Sequence, residues 1–349
     1  MGDLGFWRLA EANPERLALV GPDGTERTAG ELLAAANRAA HGFRALGLEN
    51  GDTVALLMPN SIELIELYLG ALQVGLYLTP INWHLVGPEV AYILADSDAK
   101  VFVAHERFAD VAIAAADEAG FPADRRFAVG SIEGFRPVAE LADGQPDTAP
   151  EGRTTGAAMH YTSGTTGRPK GVKRGLFEID PSDMGELLAY LPNLFGIAPH
   201  DGHVHLTVSP LYHTAVLMWT GNALHLGHTV ILMDKWTAEE TLRLIQERKV
   251  TYSHMVPTQF VRLLDLPDSQ LFITPGEGTF HQFHGGVTTK VDTEREDMLA
   301  GFREQYELLR GEHYDMVDKP PRLLGGVPGW ALPMLEFSAA CAVRGLLPP

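Results

Sequence analysis

The chain has 349 residues, 45% of them hydrophobic, and a formal net charge of −18 at pH 7. That length and composition support two or more packed domains and exclude a disordered chain. The acidic field argues against nucleic acid or an anionic membrane surface as a general partner, because it repels polyanions. The single cysteine, Cys341, allows no internal disulfide, and the start MGDLGFWRLAEANPE lacks the basic-then-apolar layout of a signal peptide, so a cytoplasmic location is expected. Phe6 stands where a myristoylation motif needs Ser or Thr. No apolar run reaches spanning length without a charge or proline. Residues 323 to 347 come nearest but are interrupted by Pro328, Pro333, Glu336 and Arg344, which leaves a peripheral membrane contact open and argues against a transmembrane segment.

Helical and strand signals alternate through the first 265 residues, the pattern of an α/β fold with parallel sheets. Thr28 and Glu31 form a capping-box pair ahead of Leu32, Leu33, Ala36, Ala40, Phe43 and Leu46, and Gly47 supplies the stop of one amphipathic helix. TVALLM (53–58) reads as a strand, 60–74 as a helix and 76–81 as a short strand ending at Pro80. Pro88 opens a helix through Leu94, AKVFVA (99–104) is a buried strand, and an alanine-rich helix occupies 107–118. Residues 131–154 read as an irregular connection. Further strands are expected at 203–209, 229–233 and 251–256, with helices at 215–226, 237–248 and 257–266. The expected domains are a first α/β subdomain over 1–150, a second over 151–267 and an unassigned tail over 268–349.

Residues 161–171 read YTSGTTGRPKG. Thr162, Ser163, Thr165 and Thr166 offer hydroxyl donors, while Gly164 and Gly167 let backbone N–H groups approach an anion closely. Lys170 adds a mobile positive charge. Pro169 fixes its own φ and biases Arg168 toward an extended conformation, so the segment reads as a loop and not as the start of a helix. The Walker pattern fails, since Pro169 precedes Lys170 and Gly171 follows it. Arg168, Lys170, Lys173 and Arg174 place four positive charges within seven positions, against the acidic average. The residues alone fit either a phosphate-binding loop or a polar, basic surface turn; the length of the run and the strand-like AAMHY ahead of it favour the first.

The form MHYTSGTTGRPKGVKR closely resembles the phosphate-binding signature of the AMP-forming adenylating enzymes, in particular the fatty-acyl-CoA synthetase branch. GALQVGLYLTPIN (70–82), SPLYHTA (209–215) and HMVPTQFVRLL (254–264) resemble further family segments in family order, so the likeness runs from about residue 5 to about 267. It implies the N-terminal part of the synthetase large domain, built of alternating β/α subdomains, incomplete and followed by an unrelated tail. It also implies two steps: a carboxylic acid attacks the α-phosphate of ATP to give acyl-AMP and pyrophosphate, and CoA thiolate then displaces AMP. Mg²⁺ and the loop would neutralise charge so that the two anions can meet. Carried over by position, Thr162, Ser163, Gly164, Thr165, Thr166 and Gly167 cradle the β- and γ-phosphates, and Lys170 is the charged member. His213 lies at the acyl end of the pocket, although a lone histidine would by itself read as core or surface. Leu217, Met218 and Trp219 fit either a hydrocarbon tunnel or plain core.

After Pro267 the sequence departs from the family. It has no Tyr-Gly-x-Thr-Glu segment for nucleotide and Mg²⁺, no Ser/Thr-Gly-Asp segment for the ribose, and no catalytic-lysine context at Lys290 or Lys319. No metal ligand is therefore assigned. His203 with His205, and His281 with His284, lack a carboxylate or cysteine at ligand spacing, which disfavours a metallohydrolase. The tail carries an amphipathic helix candidate around 294–310, with Met298, Phe302, Tyr306 and Leu309 on one face. Two readings follow: an acyl-CoA synthetase impaired by truncation or fusion, or an inactive nucleotide- or acyl-binding module whose tail has a separate role. Neither the particular acid nor the oligomeric state can be read from the residues.

Overall fold

The computed structural model describes residues 4–162, 169–193, 197–199, 202–264 and 266. The chain divides into two compact units, Met1–Leu194 with Ala198–Lys235, and Phe195–Ile197 with Trp236–Pro349.

The first unit opens with α1 (Phe6–Ala12), β1 (Leu17–Val20), β2 (Glu26–Thr28) and α2 (Ala29–Ala45). The Thr28 side chain accepts from Glu31 N at 3.2 Å and the Glu31 carboxylate accepts from Thr28 N at 2.9 Å, so the expected capping box forms. Gly47, at φ +80°, takes the left-handed conformation that ends the run. Then come β3 (Thr53–Leu57), α3 (Ile62–Leu72), β4 (Tyr77–Pro80), α4 (Gly87–Asp96), β5 (Ala99–His105), α5 (Ala109–Glu118), β6 (Arg126–Val129), β7 (Arg136–Pro137) and α6 (Ala139–Ala142). After them lie β8 (Ala157–Ala158), β9 (His160–Thr162), β10 (Lys170–Val172), α7 (Pro181–Asn193), β11 (Val204–Thr207), α8 (Thr214–His225) and β12 (Thr229–Leu232).

A fully parallel sheet of order β7-β6-β5-β3-β4-β8 forms the larger framework. Each of its inner strands is a short, almost wholly apolar run, as a strand covered on both faces requires. Ala55, Leu57, Phe102 and Ala104 face a core completed by Val90, Ile93 and Leu94 of α4 and Ala112, Ala115 and Ala116 of α5. Phe102 is fully buried and meets Phe121 and Phe135 edge-on at 6.0 and 5.8 Å. The alternate residues Val54, Leu56, Val101 and Val103 point the other way and are equally buried. A mixed sheet in the order β11-β12-β1-β2 is parallel except for the β1–β2 hairpin.

The short helix α1 buries Phe6 and Trp7 and is anchored on α8, where the His225 ring accepts from Phe6 N at Nδ1 (3.1 Å) and the His225 carbonyl accepts from Gly5 N (3.0 Å). Full burial lowers the His225 pKa to about 4, so this anchor is a neutral imidazole at ordinary pH.

The second unit contains α9 (Ala238–Arg248), β13 (Tyr252–Ser253) and α10 (Pro257–Leu264). Thr237 caps α9 by accepting from Glu240 N at 3.1 Å, and Lys249 ends it at φ +54°. The tail helix expected around 294–310 lies outside the described residues.

The expected elements between 28 and 118 all form, with ends that differ by a few residues. The strands expected at 203–209 and 251–256 are shorter, Val204–Thr207 and Tyr252–Ser253. The segment 131–154 is not wholly irregular, since Arg136–Pro137 adds an edge strand and Ala139–Ala142 one helical turn. Helices α1 and α7 and the β1–β2 hairpin were not anticipated.

Candidate functional site

Strands β9 and β10 pair antiparallel, with Thr162 opposite Lys170, Gly171 opposite Tyr161 and Val172 opposite His160. The motif therefore forms a hairpin whose connection begins after Thr162 and returns at Pro169. Ser163, Gly164, Thr165, Thr166 and Gly167 lie outside the described residues. A Cβ on Gly171 would come 2.4 Å from Met159 Cε and 2.9 Å from the Tyr161 ring, so any larger residue here would have to displace the end of the Met159 side chain and crowd the Tyr161 ring. The Tyr161 hydroxyl donates to Asp96 at 2.7 Å and pins the hairpin to the end of α4. Burial and the neighbouring carboxylate both raise its pKa and keep it a donor.

Lys170 projects from β10 and is exposed, as are Lys173 and Arg174 just beyond it. None of the three pairs with a carboxylate among the described residues, whereas ten other Arg and Lys side chains do. Lys173 Nζ sits 4.6 Å from the Tyr77 ring centroid, and the Tyr77 hydroxyl donates to the Arg174 carbonyl. The basic cluster is thus an unneutralised patch held against β4.

His213 occupies the N-cap position of α8 without capping it through its ring. The exposed imidazole packs beside Tyr212 at 4.4 Å between centroids. Tyr212 meets Trp83 edge-on at 6.1 Å, Trp83 stacks on Phe108 at 5.7 Å, and His84 lies 3.8 Å from Trp83. Partial desolvation and the nearby His84 lower the His213 pKa, which keeps it neutral near pH 7. Of the three residues that follow, Leu217 and Trp219 are buried and Met218 is half-buried.

Asn60, just ahead of α3, holds this segment in place. Its amide donates to the carbonyls of Ser209 (2.9 Å) and Met233 (2.8 Å), and its Oδ1 accepts from Leu211 N (2.8 Å). Nothing in sequence spacing marks Asn60, because its role depends on contacts some 150 residues away. His160 was missed for the same reason. It is buried, its Nε2 has no hydrogen-bond partner among the described residues, and desolvation, then Arg174, then His213 lower its pKa to about 4. Arg174, just beyond the hairpin, and His213, at the start of α8, thus both lie within electrostatic range of His160.

Matches to known proteins decide what kind of molecule carries this arrangement. Residues 6–290 match the AMP-binding enzyme family. The chain belongs to that family. The match extends past 267, where the recognisable motifs stop. The long-chain-fatty-acid–CoA ligase FadD13 of Mycobacterium tuberculosis is 33% identical over 282 residues, covering 77% of this chain and 54% of that protein. The 2-succinylbenzoate–CoA ligase of Bacillus licheniformis is 31% identical over 256 residues, 73% of this chain and 49% of the relative. The chain therefore spans about half the length of the curated relatives it matches. Among solved structures, the N-terminal domain of FACL13 from M. tuberculosis superposes with a TM-score of 0.66 at 26% identity, covering 86% of this chain and 72% of that one. MatB from Rhodopseudomonas palustris with ATP bound gives 0.61 at 27% identity, with 76% and 52% covered. These likenesses bear out both the family resemblance and the α/β fold with the architecture of an acyl-CoA ligase N-terminal domain.

The residues present suit the phosphate end of a nucleotide: three cations with no carboxylate partner and a buried imidazole nitrogen with no hydrogen-bond partner, both among the described residues, are what a polyanion would satisfy. A divalent cation finds no comparable set, since among the described residues no group of three or more His, Cys, Asp or Glu is arranged to hold one. His203 packs edge-on against His228 at 5.1 Å, and His281 and His284 lie outside the described residues. Among the described residues no helix is long and apolar enough to cross a membrane.

Proposed function

We propose that the chain carries the nucleotide- and acid-binding half of an AMP-forming acyl-CoA ligase, acting on a fatty or other hydrophobic carboxylic acid with ATP and CoA. The observation that carries the reading is the β9–β10 hairpin, which brings Thr162 opposite Lys170 at the two ends of the glycine- and hydroxyl-rich loop and leaves Lys170 without a carboxylate partner. In this reading Thr162, Ser163, Gly164, Thr165, Thr166 and Gly167 contact the β- and γ-phosphates through backbone N–H and hydroxyl groups, and Lys170 offsets charge that accumulates as pyrophosphate leaves. ATP would supply the activating adenylyl group, with pyrophosphate leaving and Mg²⁺ offsetting its charge; the residues of this chain bind, orient and exclude water.

His213 stands at the acyl end. Neutral, exposed and backed by the Tyr212–Trp83 aromatic cluster, it offers an uncharged edge to a carboxylate next to an apolar surface. Neutrality matters, because a fixed imidazolium would hold the carboxylate as an ion pair and lower its nucleophilicity. The names of the relatives support a CoA ligase acting on a hydrophobic acid.

The departure from the family's motifs after 267 favours a second reading, a binding module that holds nucleotide or acid without turnover. Calorimetric titration of ATP, followed by titration of a medium-chain fatty acid into the ATP-loaded protein, tests the shared part of both. Saturable ATP binding that is lost in Lys170→Ala supports them; absence of ATP binding by the folded chain removes the ligase reading, and absence of acid binding as well removes both. The division at about 150 and 267 belongs to the same proposal. A limited digest that releases a stable fragment ending near 268 supports it, whereas uniform resistance argues for one integrated fold.

A further inference from the structure

His160 lies within the run MHYTSGTTGRPKGVKR, just ahead of the residues to which the resemblance gives a phosphate role, yet it is the most unusual polar side chain of the hairpin. It is 7% exposed, and Nε2 is buried with no partner among the described residues. Leaving a ring nitrogen unsatisfied in a buried site is costly, so such an atom calls for an explanation. Its place in the hairpin supplies one. Val172 lies directly opposite His160, and Lys170 is two residues from Val172 on the same strand, so His160 and Lys170 share one face of the hairpin as diagonal neighbours. Tyr161, Met159 and Gly171 occupy the other face, where they pack on each other.

We infer that His160 is a further phosphate-binding residue, its neutral imidazole donating from Nε2 to a phosphoryl oxygen of a polyphosphate held by the hairpin. This rests on the nucleotide-binding reading above. Lys170, Lys173 and Arg174 supply the charge that attracts the anion; His160 adds a directed, uncharged donor that fixes where the oxygen sits. The bound anion selects the tautomer with hydrogen on Nε2. Desolvation, Arg174 and His213 hold the ring neutral beforehand, so no proton has to be taken up before the site can work.

The test uses the full chain, inorganic pyrophosphate and ATP as probes, and the variants His160→Met, His160→Gln and Lys170→Ala. His160→Met should weaken pyrophosphate about tenfold, the loss expected for one hydrogen bond to a charged group, with an unchanged or higher melting temperature because a buried orphan is removed. His160→Gln, which keeps an N–H near the Nε2 position, should bind within about threefold of the native chain. In the native protein, the imidazole ¹⁵N signal that is missing from His160→Gln should move on addition of pyrophosphate. If that signal stays put at saturation, or if folded His160→Met binds pyrophosphate as the native chain does, the inference is overturned. Should His160→Met fail to fold, the ring signal decides alone. Native binding that is lost in Lys170→Ala but kept in His160→Met leaves the nucleotide reading standing and removes only the role of His160; a native chain that binds neither probe removes both.

Discussion

The parallel sheet around β3 and β5 and the hairpin of β9 and β10 belong to one compact unit, yet they obey opposite rules. In the sheet, the side chains from Val54 to Leu57 and from Val101 to Ala104 are at most 1% exposed and packed on both faces. Around the hairpin, Val172 and Phe177 are 43% and 63% exposed, and among the described residues three cations find no carboxylate and a buried imidazole nitrogen no partner. A stable framework satisfies its groups internally, whereas a binding site leaves groups to be satisfied by a ligand. Substitutions in the sheet should therefore change stability and leave affinity per folded molecule alone, while substitutions on the hairpin should do the reverse.

The largest expected effect on affinity is on the hairpin. Lys170→Ala should weaken ATP by about a hundredfold in calorimetry, the scale of losing one preorganised charge-stabilising group, with the melting temperature unchanged. In the sheet, Phe102→Ala should cost about 3–5 kcal/mol in urea unfolding, with the ATP affinity of the remaining folded protein intact. Between these lies the His225 anchor. Because its folded pKa, about 4, is below the ordinary 6.5, its contribution is fully present above pH 6.5 and is lost as pH falls from 6.5 toward 4. The loss totals about 3 kcal/mol, and His225→Asn, which keeps an acceptor for Phe6 N without titrating there, should flatten that limb of the pH–stability curve. Asn60→Ala, which strands two carbonyls and the Leu211 N–H, should cost about 2–3 kcal/mol and, because it frees residues 209–211, also weaken acid binding. Thr28→Ala should remove the capping box for about 1 kcal/mol and nothing else. A hairpin substitution that lowers stability as much as Phe102→Ala would break the distinction.

Local signals made much of the framework legible. The Thr28–Glu31 box and Gly47 delimited α2, and short apolar runs marked β3 and β5 correctly, since strands covered on both faces need little else. Two signals were present but went unread. Pro22-Asp23-Gly24 is a turn sequence, and it does make the β1–β2 connection, with Gly24 at φ +85° and the Asp23 carboxylate accepting from Thr25. Asp180-Pro181 is a helix start, with Asp180 accepting from Ser182 N at 2.8 Å, although the helix it opens also contains Pro192. Helix α1 is seven residues long, has no side-chain cap, and exists because Phe6 and Trp7 are buried against later elements, which no local pattern announces.

The site divides in the same way. Thr162, Lys170 and the glycines between them could be proposed from sequence because the run that carries them is contiguous, and His213 because its motif is. Asn60 and His160 were not, because each acquires its role only when distant segments meet: Asn60 through Ser209, Leu211 and Met233, and His160 through Arg174 and His213.

The measurement that bears most directly on the central claim is acid-dependent exchange of labelled pyrophosphate into ATP, run with a panel of fatty and aromatic acids on the native chain and on Lys170→Ala. An adenylating ligase predicts exchange that requires the acid and disappears in the variant. A folded chain that binds ATP yet shows no exchange with any acid would contradict ligase activity and leave the hairpin as a nucleotide-binding site alone.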